Sequence, residues 1–139
     1  MVNRDLIAAK LTDLASRVAR VRAHAKANVA DLVGDTDAID LVSFNLMIAV
    51  QVCSDIASHI VSDEGWPTAR TLGDGFTRLA EHHVITATTA TAMTRAAAFR
   101  NVVAHGYTSV DPVIVHRAST TGLDDIDQFA REIAAWTSR

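Results

Sequence analysis

The chain has 139 residues, of which 49% are apolar and 21% charged, and its net charge is −3. These proportions exclude a disordered chain, and the acidic balance excludes a broad basic surface that coats nucleic acid, though not a small arginine cluster acting on one phosphate. The solitary cysteine, Cys53, excludes an intrachain disulfide and a thiolate zinc site.

The length suits a single domain spanning residues 1–139 around one core. Aromatic residues are scarce while alanine and threonine abound, which favours helices packed closely through small side chains. From residue 3 to 33, Leu6, Ile7, Leu11, Leu14, Val18, Val21, Ala25, Val29 and Leu32 recur at steps of mostly three and four, predicting one amphipathic helix. Charges at Arg4, Asp5, Lys10 and Asp13 leave no apolar leader, so a cytoplasmic location is expected. Arg17, Arg20 and Lys26 form a modest basic strip, interleaved with Asp13 and Asp31 and read as a solvated face.

Residues 34–37 (GDTD) supply a stop and a new N-cap. A second helix is predicted over 38–61, with Ile39, Val42, Leu46, Val50, Cys53, Ala57 and Ile60 on one side. Gln51, Asp55, Ser58, His59 and Ser62 form a polar stripe opposite. Asn45, Gln51 and Asp55 interrupt the apolar stretch from 41 to 57, which makes it too polar to span a bilayer, and no membrane association is expected.

Gly65 and Pro67 make 62–68 a turn. A short helix is expected over 74–82 and another over 88–104, the latter presenting Met93, Ala97, Phe99 and Val103 and ended by Gly106. Asp111-Pro112 reads as an N-cap followed by proline at the first helical position, opening a short helix to about Ser119. Gly122 is expected to break the chain before a closing helix over 123–136. Adjacent His82 and His83 diverge on a helix and lack a third ligand at useful spacing, so no metal is expected there and no cofactor elsewhere. Cys53 reads as core, and Trp66 and Trp136 as packing anchors. With no convincing strand alternation, the fold class is all-α, an up-and-down bundle of about five helices.

The chemistry concentrates in FRNVVAHGY, residues 99–107. On a continuous helix Arg100 and His105 lie roughly 140° apart, so they do not share a face, whereas Asn101 and His105 at i and i+4 do. Arg100 offers a planar fork for phosphate oxygens. A histidine carries protons near neutral pH. A last-turn histidine before glycine is also a common capping arrangement, and spacing alone does not choose between these readings.

The R-x4-H-x-Y pattern of Arg100, His105 and Tyr107, with Asn101 after the arginine, resembles the signature of the HEPN superfamily and, more narrowly, of the HepT toxin (DUF86-like) family. The likeness extends over about residues 39–136. It includes Ala49, Gln51, Asp55, Ala57, His59 and Ile60 on the second helix, Phe76 and Leu79 after the turn, and Val110-Asp111-Pro112 beyond the tyrosine. The resemblance implies a HEPN-type bundle and a homodimer whose two arginine–histidine motifs line one composite cleft. It also implies a metal-independent endoribonuclease, with Arg100 and His105 catalytic and Asn101 and Asp55 supporting. Such toxins pair with an MNT-type nucleotidyltransferase antitoxin in type VII systems, and the antitoxin's adenylylation target here would be Tyr107. The alternative is a non-catalytic HEPN dimer that binds a nucleotide or a nucleotidyltransferase.

Overall fold

Most helices of this chain begin where a short polar side chain can take up the free N–H groups of the first turn. Asn3, Asp35, Thr71, Thr86 and Asp111 accept from the backbone N–H groups of Leu6, Ala38, Asp74, Thr89 and Val113. The computed structural model describes residues 1–106 and 110–139. Among them are α1 (Arg4–His24), α2 (Val29–Val33), α3 (Thr36–Asp63), α4 (Leu72–Glu81), α5 (Ala87–His105), α6 (Pro112–Ser119) and α7 (Thr121–Thr137). The expected bundle is therefore present as α1, α3, α4, α5 and α7, with two shorter helices between them.

The 28-residue α3 is the axis, with Val42, Leu46, Val50, Cys53, Ile56 and Ile60 all at most 1% exposed. Helices α1, α4, α5 and α6 pack around it. Contrary to expectation, α3 is long and apolar enough to cross a membrane, because Asn45, Gln51 and Asp55 are too few to offset its aliphatic run. Half of its most apolar window is buried inside the bundle, so core packing accounts for that composition. Asn45 is accommodated by donating to the Leu41 carbonyl at 2.8 Å and accepting from Arg17 at 3.0 Å. Arg17 also lies 6.0 Å from the Phe44 ring centroid, and Lys26 pairs with Asp35 at 3.2 Å. Two of the three basic side chains on the N-terminal strip thus clamp the first turns of α3.

Two boundaries differ from expectation. The segment 3–33 is broken at residues 25–28, because the Asn28 side chain accepts from the Asp31 N–H and starts α2 afresh. His116 Nε2 sits 3.1 Å from the Lys26 carbonyl, which can only accept, so this nitrogen carries the proton. The break lets Leu32 bury completely. Gly122 lies inside α7; the chain turns at Thr120, whose N–H bonds the Arg117 carbonyl.

At the far end of the bundle, Trp66 stacks on His82 at 3.8 Å and tilts against Trp136 at 6.4 Å. Phe76 meets Phe129 edge-on at 5.5 Å. Glu81 pairs with Arg78, so the Glu81-His82-His83 turn is occupied in packing and an ion pair. Burial pushes the Cys53 thiol up, as suits a core side chain.

The start of α5 is fixed from α7. Glu132 accepts from the Thr86 N–H at 2.6 Å, from the Thr89 hydroxyl and from Gln128 at 3.1 Å. Burial pushes the Glu132 carboxyl up, but these bonds outweigh it and hold the group below its usual range. A carboxylate lowered in the folded state stabilises above its unfolded value and loses that contribution as pH falls through the folded one. Replacing Glu132 with alanine is expected to cost about 1 kcal/mol at neutral pH, after discounting for solvent exposure. In urea unfolding the difference from wild type should shrink progressively below about pH 4.5. A pH-independent difference would mean that the carboxylate charge is not what holds α5.

Candidate active site

Helix α5 approaches its neighbours closely because Ala90, Ala92 and Ala97 are buried along it. Phe99 and Val103, each 8% exposed, anchor its last turns. The helix then ends at Gly106, whose N–H donates to the Val102 carbonyl at 2.7 Å. A Cβ at this position would stand 2.8 Å from that same oxygen, so only glycine fits without moving the helix end.

Arg100 and His105 are both within α5, so the angular separation read from the sequence holds. Arg100 is half-buried, and its Nη1 donates to Asn101 Oδ1 at 3.3 Å. Its Nε is buried without a hydrogen-bond partner, an orphaned donor that calls for an acceptor from outside the described residues. His105 is exposed in the final turn. Asn101, expected to support the motif, is bonded to Arg100 within this chain. Tyr107 lies outside the described residues.

Asp55, expected to support the motif, is not paired with Arg100 within this chain. Its carboxylate accepts from Gln51 at 3.1 Å and faces Lys10 of α1 at 3.8 Å. Periodicity explains the difference. On α3, Leu46 and Val50 line a cavity shared with α5, and Asp55 lies roughly 180° and 140° around the helix from them.

A neighbouring feature was not anticipated from the sequence. A pocket of about 390 Å³ opens between α3, α5, α6 and α7. Leu46, Val50, Phe99 and Ile126 supply apolar walls, and Arg95, Arg117 and Asp125 supply charge. The one linear signal was Arg95 and Phe99 at i and i+4, immediately before Arg100. Arg117 and Asp125 come from other helices, and no linear pattern joins them.

Residues 13–133 match the family model described as "Ribonuclease HepT-like". The chain is 30% identical over 96 residues to the mRNA nuclease HepT of Shewanella oneidensis, covering 69% of this chain and 72% of that protein. In three dimensions it is similar to the tri-AMPylated S. oneidensis HEPN toxin in complex with MNT antitoxin. The TM-score is 0.87 at 26% identity, over 96% of this chain and 99% of that one. A toxin–antitoxin crystal structure with AMP-PNP aligns with a TM-score of 0.87 at 25% identity, over 95% of this chain and 99% of that one. The expected HEPN-type helical fold is thereby established.

The Gly106 geometry makes a direct prediction. Gly106→Ala should lower stability by about 1–3 kcal/mol in urea unfolding, because the Val102 carbonyl must shift to admit the methyl group. Unchanged stability would show that the helix end tolerates the side chain.

Proposed function

This chain belongs to the HepT-like ribonuclease family, and from that membership we propose that it is the RNA-cleaving toxin of a HEPN/MNT (type VII) toxin–antitoxin pair. The observation that carries the reading is the orphaned, buried Nε of Arg100 one turn before an exposed His105, in a chain that matches the family over residues 13–133.

The reaction is an in-line transfer at phosphorus. The RNA 2′-hydroxyl loses its proton to His105 and attacks the adjacent phosphate. The O2′–P bond forms, the P–O5′ bond breaks, and a second acid protonates the departing O5′. Arg100 stabilises the charge that accumulates on the phosphorane oxygens. The nucleophile belongs to the RNA, so the reaction is metal-independent and leaves a 2′,3′-cyclic phosphate. Arg100 and His105 diverge around α5, so their joint action requires a homodimer in which each motif supplies half of one cleft. The histidine of the second copy then serves as the second acid. Asn101 holds the Arg100 fork, and release of that bond frees Nη1 for phosphate.

Tyr107 follows His105 by two residues. Adenylylation of its hydroxyl by an MNT-type nucleotidyltransferase would place a bulky anion beside the cleft, obstructing it and repelling RNA phosphate. The protein acts in the cytoplasm, where both RNA and antitoxin reside. A second reading, a non-catalytic HEPN dimer that binds a nucleotide or the transferase, draws on the divergence of Arg100 and His105 and on the net charge of −3.

Expression of the chain alone should arrest growth, and purified protein in EDTA should cleave RNA to cyclic-phosphate ends. His105→Ala should lower kcat about 10²–10⁴-fold, and Arg100→Ala about 10²–10³-fold, each with an unchanged circular dichroism spectrum. Equal RNA integrity with wild type and His105→Ala would favour the non-catalytic reading. Incubation with ATP and the partner transferase should add adenylate to wild type and not to Tyr107→Phe. Modification of both would remove Tyr107 as the switch.

A further inference from the structure

The pocket beside the motif is lined by three charged side chains that belong to no ion pair or side-chain hydrogen bond among the described residues: Arg95 on α5, Arg117 on α6 and Asp125 on α7. Several other basic side chains of the surface are engaged in the fold. Arg17 holds Asn45, Arg22 pairs with Asp127, Lys26 with Asp35 and Arg78 with Glu81. Two uncommitted guanidinium groups and an uncommitted carboxylate thus converge from three helices on a concavity whose other walls include Leu46, Phe99 and Ile126.

We infer that this pocket is a base-binding subsite for single-stranded RNA, which receives a nucleobase next to the cleaved phosphate. The inference deepens the ribonuclease reading and rests on it. The volume of about 390 Å³ is at the small end of ligand pockets and admits one base with its sugar. Apolar walls with an aromatic side chain suit an unstacked base, which is how single-stranded RNA is read. Arg95 and Arg117 at the rim answer the phosphates on either side of that base. A purely apolar partner helix would bury two guanidinium groups against a single carboxylate and leave a net positive charge uncompensated, which RNA phosphate would answer.

Position links the pocket to the chemistry. Phe99 is adjacent to Arg100 and six residues before His105, about 9 Å along the helix axis. A base held against Phe99 therefore brings its own phosphate towards Arg100, whose Nε lacks an acceptor. Asp125 gives the subsite a preference. A carboxylate accepts from an exocyclic amine, as acidic side chains do from cytosine N4, whereas uracil offers carbonyl oxygens at the corresponding edge. An amino-bearing base is favoured over uracil. The local pair of cations also reconciles RNA binding with a net charge of −3.

The test uses the full chain and short single-stranded RNAs in which each position in turn is abasic or changed from cytosine to uracil. Binding is read by fluorescence anisotropy with His105→Ala protein, and cleavage with protein carrying His105. One abasic position should weaken binding about tenfold. Arg95→Ala and Arg117→Ala should each weaken it about tenfold and reduce the slope of log affinity against log salt by about one. Asp125→Asn should abolish the cytosine-over-uracil preference while binding abasic RNA as His105→Ala alone does.

Base-dependent binding without cleavage would keep the subsite and remove the nuclease. Cleavage indifferent to abasic positions and to these three substitutions would remove the subsite and keep the nuclease. Absence of RNA binding would remove both. Variants that bind RNA normally but change oligomeric state or antitoxin binding would make the pocket a protein-docking surface and overturn the proposal.

Discussion

The structure depends on covering α3. A 28-residue helix with six large or sulfur-bearing side chains sealed from water cannot be satisfied by one partner, because a single neighbouring helix covers only part of its circumference. Helices α1, α4, α5 and α6 therefore surround it. The interior is dense enough that loss of one leucine from this axis would cost about 2–5 kcal/mol. Asn45, the polar residue most deeply placed on it, is tolerated because Leu41 and Arg17 satisfy both ends of its amide.

Helix α5 inherits its position from that constraint. Alanines let it lie close, Glu132 and Thr86 fix where it starts, and Gly106 fixes where it stops. Arg100 and His105 are consequently held on a rigid element in defined directions rather than on a mobile loop. The price of that rigidity is angular: a straight helix cannot aim residues five apart at one phosphate. The composite cleft proposed above needs no bend in α5, and its second half would supply the acceptor that the buried Arg100 Nε lacks.

The same packing distributes charge. Arg17 on α1 and Lys26 just beyond it are drawn into clamping α3, which leaves less of the N-terminal strip free to contact RNA. The uncommitted arginines around the pocket lie instead beside the C-terminal half of α5. A weakly acidic protein can in this way present a local cationic site, as the proposed binding of RNA requires.

Apolar periodicity and cap chemistry were sufficient to read the five main helices, an N-cap within residues 34–37, the Asp111-Pro112 start and the Gly106 stop, because each depends on residues within one or two turns. The order of Arg100, His105 and Tyr107 with the second-helix pattern carried the family in the same local way. Elsewhere the local signal was incomplete. The 3–33 periodicity hid a break that Asn28 and the His116 contact impose, and Gly122 signalled a turn that Thr120 makes instead. Asp55 matched the family pattern in sequence, yet the angular register of α3 turns it to Lys10. Arg95, Arg117 and Asp125 meet only because three helices pack on a fourth. The sequence by itself determined the main helices, most of their ends and the family. Tertiary packing alone decided which charges remain free and where they gather, because pairing across helices depends on rotation about each axis, which no local pattern encodes.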